Sequence, residues 1–319
     1  MAKYVVKRIC LMFATLFVIT TICFMLVRVL PRELPTDKVQ AAAIQARWDA
    51  LGYNEPLLKQ FGIYLKNIVT DWDFGTSWYI SFRTPAWDVL MDRLPPTVLV
   101  NLYSLLFSIP VGIGLGIFAA IKKNKWQDSL ISTLVMVFIS VPSYVYAFLV
   151  QYTLYFKLGW LPLQVYALAD AGNSWFTGKM FYSMIAPIIA LSFGEIAGLC
   201  RFTRAELTET LTSDYMLLAR TKGLTRGQAT TRHALKNAMV PILPMIISSF
   251  VGILGGSLVI EQIFSIPGVG QLYLKSIALF DYDVFMIDSI FYTFVGLLAG
   301  IVVDLSYGFI DPRIRMGEK

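Results

Sequence analysis

Long apolar blocks alternate with short polar segments along this chain of 319 residues. A membrane-spanning helix needs about 20 predominantly apolar residues, so an uncharged block of that length predicts a span. Four blocks meet this condition: Ile9–Val27, Val98–Ile121, Leu130–Phe156 and Ala238–Ile260. Met180–Cys200 is interrupted only by Glu195, and Val284–Val303 only by Asp288. These two blocks also predict spans, which gives six transmembrane helices.

The blocks do not alternate apolar and polar residues as the strands of a membrane barrel would, and lipid admits only helices or closed barrels. Hydrophobic residues make up 56% of the chain and charged residues 15%, against about 25% charged in a soluble domain. The predicted fold class is therefore an all-α membrane protein. The first block is longer than the apolar core of a signal peptide, and Leu30–Glu33 offers no small-residue cleavage site, which favours an uncleaved first span.

The distribution of positive charge predicts an orientation with both ends inside. In that orientation 16 of the 27 Lys and Arg residues fall on inner segments and 11 on outer ones, as the positive-inside rule favours. The net charge of +6 is interpreted as this topology signal and not as nucleic-acid binding. The three cysteines lack a CxxC partner, so apolar packing is favoured over a metal site or disulfides.

Four regions follow from this pattern: residues 1–30 with the first span, an outer segment 31–95, a five-span domain 96–310, and an inner tail 311–319. Within the outer segment, Lys38–Leu51 and Glu55–Val69 predict helices, and Arg93–Thr97 is predicted to end the segment and open the second span. Five aromatic residues crowd its second half: Trp72, Phe74, Trp78, Tyr79 and Trp87. They fit either an interfacial belt or a docking surface for an external partner.

Glycine pairs four residues apart occur in four predicted spans and let helix backbones approach closely. They are Gly112/Gly116, Gly194/Gly198, Gly252/Gly256 and Gly296/Gly300. They predict a tightly packed bundle, although glycine is common in membrane helices in any case. Prolines inside three apolar blocks, at Pro110, Pro142 and Pro187, predict bends or interruptions.

The longest inner loop, Arg201–Asn237, is too polar for a span. Ala205–Arg220 predicts a helix, and Gly223 interrupts the helical pattern. Thr225 and Gln228 have the spacing of a capping box, which predicts a second helix over Arg226–Ala238. The loop is therefore predicted to form helix, sharp turn and helix between the fourth and fifth spans.

This loop carries a specific resemblance. Asp214–Leu224, followed by Arg232–Ala238, resembles the cytoplasmic "EAA" loop of ABC importer permeases, in the wording of the oligopeptide, dipeptide and nickel branch. Ala219 and Gly223 match the second Ala and the Gly of the general motif. Leu217 and Leu218 replace its Glu and first Ala, and His233, Leu235 and Lys236 stand where the motif has Ile, Leu and Pro.

The resemblance covers nearly the whole chain. It also includes Arg93–Thr97, Ser140–Tyr144, Leu158–Pro162, Glu261–Gly270 and Asp311–Arg315. Two segments depart from the family wording. Leu30–Leu34 lacks the family's Leu-Pro-Gly-Asp-Pro, and Asp281–Asp283 has Asp where the family has Pro. Both departures put details of partner docking in doubt.

The resemblance implies a type I importer permease of a prokaryotic cell membrane, which forms half of a pathway for oligopeptides or dipeptides. Implied partners are a second homologous permease, two cytoplasmic ATP-binding subunits, an extracytoplasmic substrate-binding protein, the peptide and membrane lipid. The loop helix is expected to dock on an ATP-binding subunit. The expected ATPase-coupling residues are Asp214, Tyr215, Ala219, Arg220, Lys222, Gly223, Leu224, Arg232 and Asn237.

Candidate pathway residues are Glu195, Glu261 and Gln262. A charged group within a span is costly if it faces lipid, so Glu195 is predicted either to face the pathway or to pair with Arg201 near the membrane edge. The lone histidine, His233, has no acid–base neighbour and is interpreted as structural.

No phosphate-binding loop, HExxH or GxSxG motif is present in the sequence, so no catalytic residue, metal site or cofactor is predicted. ATP hydrolysis is expected on separate subunits. Two alternatives stay open: the same machine moving nickel chelates, glutathione or other small solutes, and an ion-coupled secondary transporter.

Overall fold

The computed structural model describes residues 2–30, 34, 36–50 and 52–310. The inner tail expected at 311–319, with its Asp311–Arg315 motif, lies outside the described residues, as does most of the Leu30–Leu34 segment. Five described helices are long and apolar enough to cross a membrane, and a bent pair makes a sixth span when it is counted as one. This agrees with the predicted helical membrane protein.

The described helices are, in chain order, α1 (Ala2–Val29), α2 (Lys38–Ala50), α3 (Leu57–Asp71), α4 (Ala86–Ile121), α5 (Trp126–Ser140), α6 (Ser143–Gln151), α7 (Gly178–Leu211), α8 (Asp214–Thr221), α9 (Arg226–Ala229), α10 (Leu235–Gly252), α11 (Leu258–Ile263), α12 (Val269–Ala278) and α13 (Tyr282–Ile310). Strands β1 (Thr76–Ser77) and β2 (Thr84–Pro85) pair antiparallel between α3 and α4. A π-helical turn, Tyr152–Lys157, extends α6, and a second, Thr230–Ala234, joins α9 to α10. A 3-10 turn covers Ala169–Ala171.

The third apolar block forms the bent pair, in which α5 and α6 meet at 102°. Val141, directly before Pro142, is extended at φ −84° and ψ 128°, which is the conformation that a following proline ring favours. The block Leu130–Phe156 therefore does not form one straight helix, and the interruption predicted at Pro142 is confirmed; the block is the predicted third span when the bent pair is counted as one. α4 and α7 continue through Pro110 and Pro187 without a break.

Two other predicted boundaries are wrong. α4 begins at Ala86, so the prolines of Arg93–Thr97 lie inside a helix and do not open it. Later in the chain, the span predicted over Ala238–Ile260 ends early. α10 stops at Gly252, a 3-10 turn covers Ile253–Gly255, and Gly256 has φ 59° and ψ −175°. This conformation is open essentially to glycine alone, so Gly256 ends the helix inside an apolar block.

The chain divides into two compact units, of which the first comprises residues 1–97 and 267–298. Its helices α2 and α3 confirm the two helices predicted in the outer segment. Phe24 of α1 packs against Phe61 and Tyr64 of α3, with ring centroids 5.1 and 5.2 Å apart. Burial raises the pKa of the Tyr64 hydroxyl, so this group stays neutral. A second core joins α4, α12, α13 and Phe74.

The second unit comprises residues 98–266 and, of the described residues that follow, 299–310. Its helices α4 and α7 approach closely at the first predicted glycine pair. A β-carbon at Gly112 would lie 2.8 Å from Leu199 Cβ, and one at Gly116 would lie 2.6 Å from Thr203 Cβ. Tight packing is therefore confirmed at this pair. Four other glycines of the pairs have no atom within 4 Å of such a β-carbon: Gly198, Gly252, Gly296 and Gly300.

Candidate functional site

The predicted inner loop contains two breaks instead of one. α7 continues to Leu211, and Thr212 and Ser213 separate it from α8. The hydroxyls of these two residues donate to carbonyls of the preceding turn at 2.9 and 2.6 Å. They satisfy carbonyls that a helix end leaves open, in competition with further helical hydrogen bonds. The single helix predicted over Ala205–Arg220 is therefore wrong.

The short helix α8 has a buried face and an exposed apolar face. Met216 and Ala219 are buried in a cluster with residues of α7 and α9. Tyr215, Leu217 and Leu218 are exposed, and the two leucines expose 66% and 55% of their surface. These leucines are the residues that depart from the general motif. One side of α8 thus fixes it to the bundle, and the other presents apolar groups outwards.

The turn after α8 confirms the role predicted for glycine. Gly223 has φ 91°, and Leu224 donates its N–H to the carbonyl of Ala219 at 3.3 Å. The capping box is also confirmed. The Thr225 hydroxyl accepts the Gln228 N–H at 3.3 Å, and the Gln228 side chain accepts the Thr225 N–H at 3.1 Å. The two devices together set the direction in which α9 leaves α8.

The remaining residues expected in the coupling loop lie at the surface. The exposed ones are Asp214, Arg220, Lys222, Arg232 and Asn237. Within the described part of the chain, none of the ion pairs includes these charges. The charges of the four ionisable residues in this set are therefore open to a partner, while Ala219 is buried and Leu224 half-buried.

A buried ion pair lies close to this loop and was not predicted. The Arg204 guanidinium of α7 donates to both carboxylate oxygens of Asp128 on α5, at 2.5 and 2.8 Å. Asp128 is only 3% exposed and also accepts the backbone N–H of Asn124 at 2.9 Å. The pair fixes the start of α5 to α7. An acid in the first turn of α5, three residues after Lys125, is the available signal, but its partner is 76 residues away.

Glu195 is an exposed residue in the middle of α7 and lines an open cavity of about 250 Å³. The Ser249 hydroxyl of α10 donates to its carboxylate at 3.4 Å. Arg201 instead stands over the Phe202 ring at 5.0 Å and forms no ion pair with Glu195. The other lining residues come from α4, α7, α10 and the break that follows α10: Asn101, Ser104, Leu105, Leu191, Gly252, Ile253, Gly256 and Ser257.

The other two candidate pathway residues lie on α11, away from the lining of this cavity. Glu261 is buried at 2% exposure, and Gln262 is exposed. The Gln151 side chain of α6 donates to the carbonyl of Ile263 at 3.2 Å and holds the end of α11 in place. The structure thus brings Glu195 together with Ser249, and does not bring it together with Glu261.

In the first unit, a single carboxylate organises the β1–β2 hairpin. One oxygen of Asp281 accepts the Ser77 hydroxyl at 2.6 Å and three successive backbone N–H groups, of Trp78, Tyr79 and Ile80, at 3.0 to 3.2 Å. Asp281 is 2% exposed. Successive N–H groups around one anion form a nest that holds the hairpin to the start of α13.

The second acid of this segment is the family departure itself. Asp283 accepts the Thr76 N–H at 3.1 Å. A β-carbon at Gly75, which has φ 103°, would lie 2.4 Å from the Asp283 carboxyl carbon. The aspartate thus packs against a backbone position whose positive φ favours glycine.

The aromatic stretch is partly packed and partly exposed. Trp72, Phe74 and Trp87 form a cluster with ring centroids 5.2 to 5.6 Å apart. Trp72 exposes 61% of its surface and Tyr79 exposes 37%. A pocket beside Asp281 is also lined by aromatic residues, including Trp48 of α2 and Phe280. Both predicted roles, interfacial belt and docking surface, remain compatible with this arrangement.

Comparison with protein families gives two matches that together cover most of the chain. A model described as "Binding-protein-dependent transport system inner membrane component" matches residues 112–316. A second, described as "Binding-prot-dependent transport system membrane comp, N-term", matches residues 1–101. The first match includes the loop that contains α8 and the cavity residue Glu195.

Two curated relatives are similar over their full lengths. The dipeptide transport system permease protein DppB of Lactococcus lactis is 35% identical over 317 residues, which cover 99% of this chain and 100% of the relative. The glutathione transport system permease protein GsiC of Escherichia coli strain K12 is 33% identical over 319 residues, which cover 99% of each chain.

Proposed function

Because the chain belongs to the family of binding-protein-dependent transport system inner membrane components, we propose that it forms one half of the membrane pathway of a peptide importer. A second, homologous permease forms the other half. Two cytoplasmic ATP-binding subunits supply the energy, and an extracytoplasmic substrate-binding protein delivers the cargo. The chain itself is a multi-pass permease subunit of the cell membrane and not an enzyme.

Short peptides are the proposed cargo. The relatives described above are named for dipeptide and for glutathione transport. Glutathione is itself a tripeptide with one γ-linked bond, so both names describe small molecules with amide bonds and charged ends. Glutathione is therefore the alternative cargo within the same chemical class.

The exposed face of α8 is the observation that carries the proposed coupling to ATP hydrolysis. Leu217 and Leu218 lie outside the candidate spans, yet both expose more than half of their surface. Clustered exposed apolar side chains favour a contact with another protein. Arg220 and Lys222 flank them and can pair with acidic groups on an ATP-binding subunit.

Peptide uptake by the assembled complex in proteoliposomes tests the proposal. Radiolabelled dipeptides and glutathione are offered separately, with the substrate-binding protein on one side and ATP on the other. ATP-dependent accumulation of a dipeptide that requires this chain supports the proposal. Accumulation of glutathione alone assigns the alternative cargo. Accumulation of neither, by a complex that hydrolyses ATP, contradicts it.

A double variant, Leu217→Asp with Leu218→Asp, tests the coupling surface. Removing an apolar anchor at an interface costs on the order of tenfold in affinity, so the ATP-binding subunits should dissociate during purification and uptake should collapse. Val39→Asp is the matched control, because Val39 exposes 74% of its surface on α2. Co-purification of both ATP-binding subunits at wild-type yield with the double variant would contradict this assignment of α8.

A further inference from the structure

The cavity around Glu195 combines a carboxylate with several small polar side chains. Asn101 and Ser104 come from α4, Ser249 from α10, and Ser257 from the break that precedes α11. All of these residues belong to the second compact unit. With a volume of about 250 Å³, the cavity is large enough to hold several waters or the end group of a small organic molecule.

The carboxylate of Glu195 is held by a neutral group and not by a cation. Ser249 donates to it at 3.4 Å, a long hydrogen bond. None of the ion pairs among the described residues includes it, and the neighbouring cation Arg201 lies over an aromatic ring. Within a membrane span, a carboxylate is costly unless it faces a cavity or a partner, so this arrangement favours a function.

The chain break beside Glu195 points to the same cavity. α10 ends at Gly252, and the non-helical residues Gly256 and Ser257 line the cavity wall. Irregular backbone at membrane depth is tolerated only where protein buries it or where it lines a water-filled cavity. Transporters place such broken helices at their substrate sites. The carboxylate of Glu195 and the non-helical segment after α10 are independent observations, and both indicate a polar site within the membrane.

We propose that Glu195 is a specificity-determining residue that binds the cationic ammonium group of a peptide as it passes through the pathway. The ammonium donates to the carboxylate and, through its remaining N–H groups, to the oxygens of the surrounding hydroxyls. This inference rests on the proposed peptide import. The amino end of the peptide is thus the end that this membrane subunit recognises, and Glu195 is the residue that recognises it.

Thiol labelling tests the charge of the cavity without any transport. Ser249→Cys is introduced into the full complex, after Cys10, Cys23 and Cys200 have been replaced by Ala. A cationic methanethiosulfonate reagent should react with the introduced thiol faster than an anionic one. Glu195→Gln should reduce the ratio of the two rates by at least about fivefold, because it removes a unit charge a few ångströms away. Glu209→Gln, on an exposed position of the same helix, should leave the ratio unchanged. An unreactive thiol in Ser249→Cys, or an unchanged ratio in Glu195→Gln, would overturn the proposal.

Uptake tests the recognition itself. A radiolabelled dipeptide and its N-acetylated form are offered to wild-type and Glu195→Gln complexes with the same substrate-binding protein, so any preference of that receptor cancels. The wild-type ratio of free-amine to acetylated uptake should fall by about threefold in the variant. An equal ratio in both complexes would overturn the inference and leave peptide import intact. If the wild-type complex imports neither peptide, the proposed function fails, and the labelling ratio alone decides the charge of the site.

Discussion

Gly223 adopts φ 91° at the end of α8, and a β-carbon there would meet no atom within 4 Å. A substitution at this position therefore costs conformational energy without a steric clash, about 1 kcal/mol or more for an L-residue. Gly223→Ala should misdirect α8 and reduce both peptide uptake and substrate-stimulated ATP hydrolysis by about fivefold. Gly227→Ala is the matched control, since Gly227 also has open space but lies in ordinary helical backbone. Equal activity of the two variants would show that the turn at Gly223 does not transmit the ATP-driven step.

The sequence predicts the break in the helical pattern at Gly223 but not the one at Gly256, although both glycines have positive φ. Gly223 stands between two helical patterns and before a capping box, so the break was visible in the polar residues around it. Gly256 lies inside an uninterrupted apolar block, where hydropathy cannot distinguish a straight span from a broken one. The block's Gly252/Gly256 pair was instead interpreted as a packing motif. Positive φ at Gly256 is imposed by the three-dimensional path of the chain, which hydropathy does not encode.

The Asp128–Arg204 pair joins α5 to α7. The sequence predicts helical structure beside both residues but does not predict the contact between them. Removing one partner of a buried ion pair leaves an uncompensated charge and costs about 3–5 kcal/mol. Asp128 is buried and Arg204 one-third exposed, so Arg204→Ala should cost more than Asp128→Ala. We expect the melting temperature of the purified complex to fall in Arg204→Ala. Replacing both charges, as Asp128→Leu with Arg204→Met, should restore most of the loss. A double variant as unstable as Arg204→Ala would contradict the assignment.

The hairpin formed by β1 and β2 is held by a single side chain, the carboxylate of Asp281. Asp281→Asn replaces an oxygen that accepts four hydrogen bonds and brings N–H donors towards N–H groups that already point at it. Limited proteolysis between Ser77 and Thr84 should therefore be faster than in the wild type. Asp170→Asn, on an exposed turn, serves as the control. An unchanged cleavage rate in Asp281→Asn would show that the backbone pairing of the hairpin suffices without the carboxylate.

At the scale of the whole molecule, thiol labelling tests the predicted orientation in the membrane directly. The charge count places both ends and the α8 loop inside. Lys123→Cys should accordingly react with an impermeant thiol reagent only from the cytoplasmic side, and Ala41→Cys only from the outside. The assay uses intact cells and inverted vesicles, with Cys10, Cys23 and Cys200 replaced by Ala. Labelling of the Lys123→Cys variant in intact cells would reverse the orientation.

The helix that follows Gly223 continues without interruption from α9 through the π turn to the end of α10. Residues 226–252 span about 40 Å at 1.5 Å per residue. One end of this rod meets the turn after α8, and the other end carries Ser249 and Gly252 at the Glu195 cavity. A tilt of about 5° around the first end would carry the second through roughly 3.5 Å, more than the length of a hydrogen bond. A small rotation at the turn after α8 would thus displace the polar groups that line the Glu195 cavity at the other end of the helix.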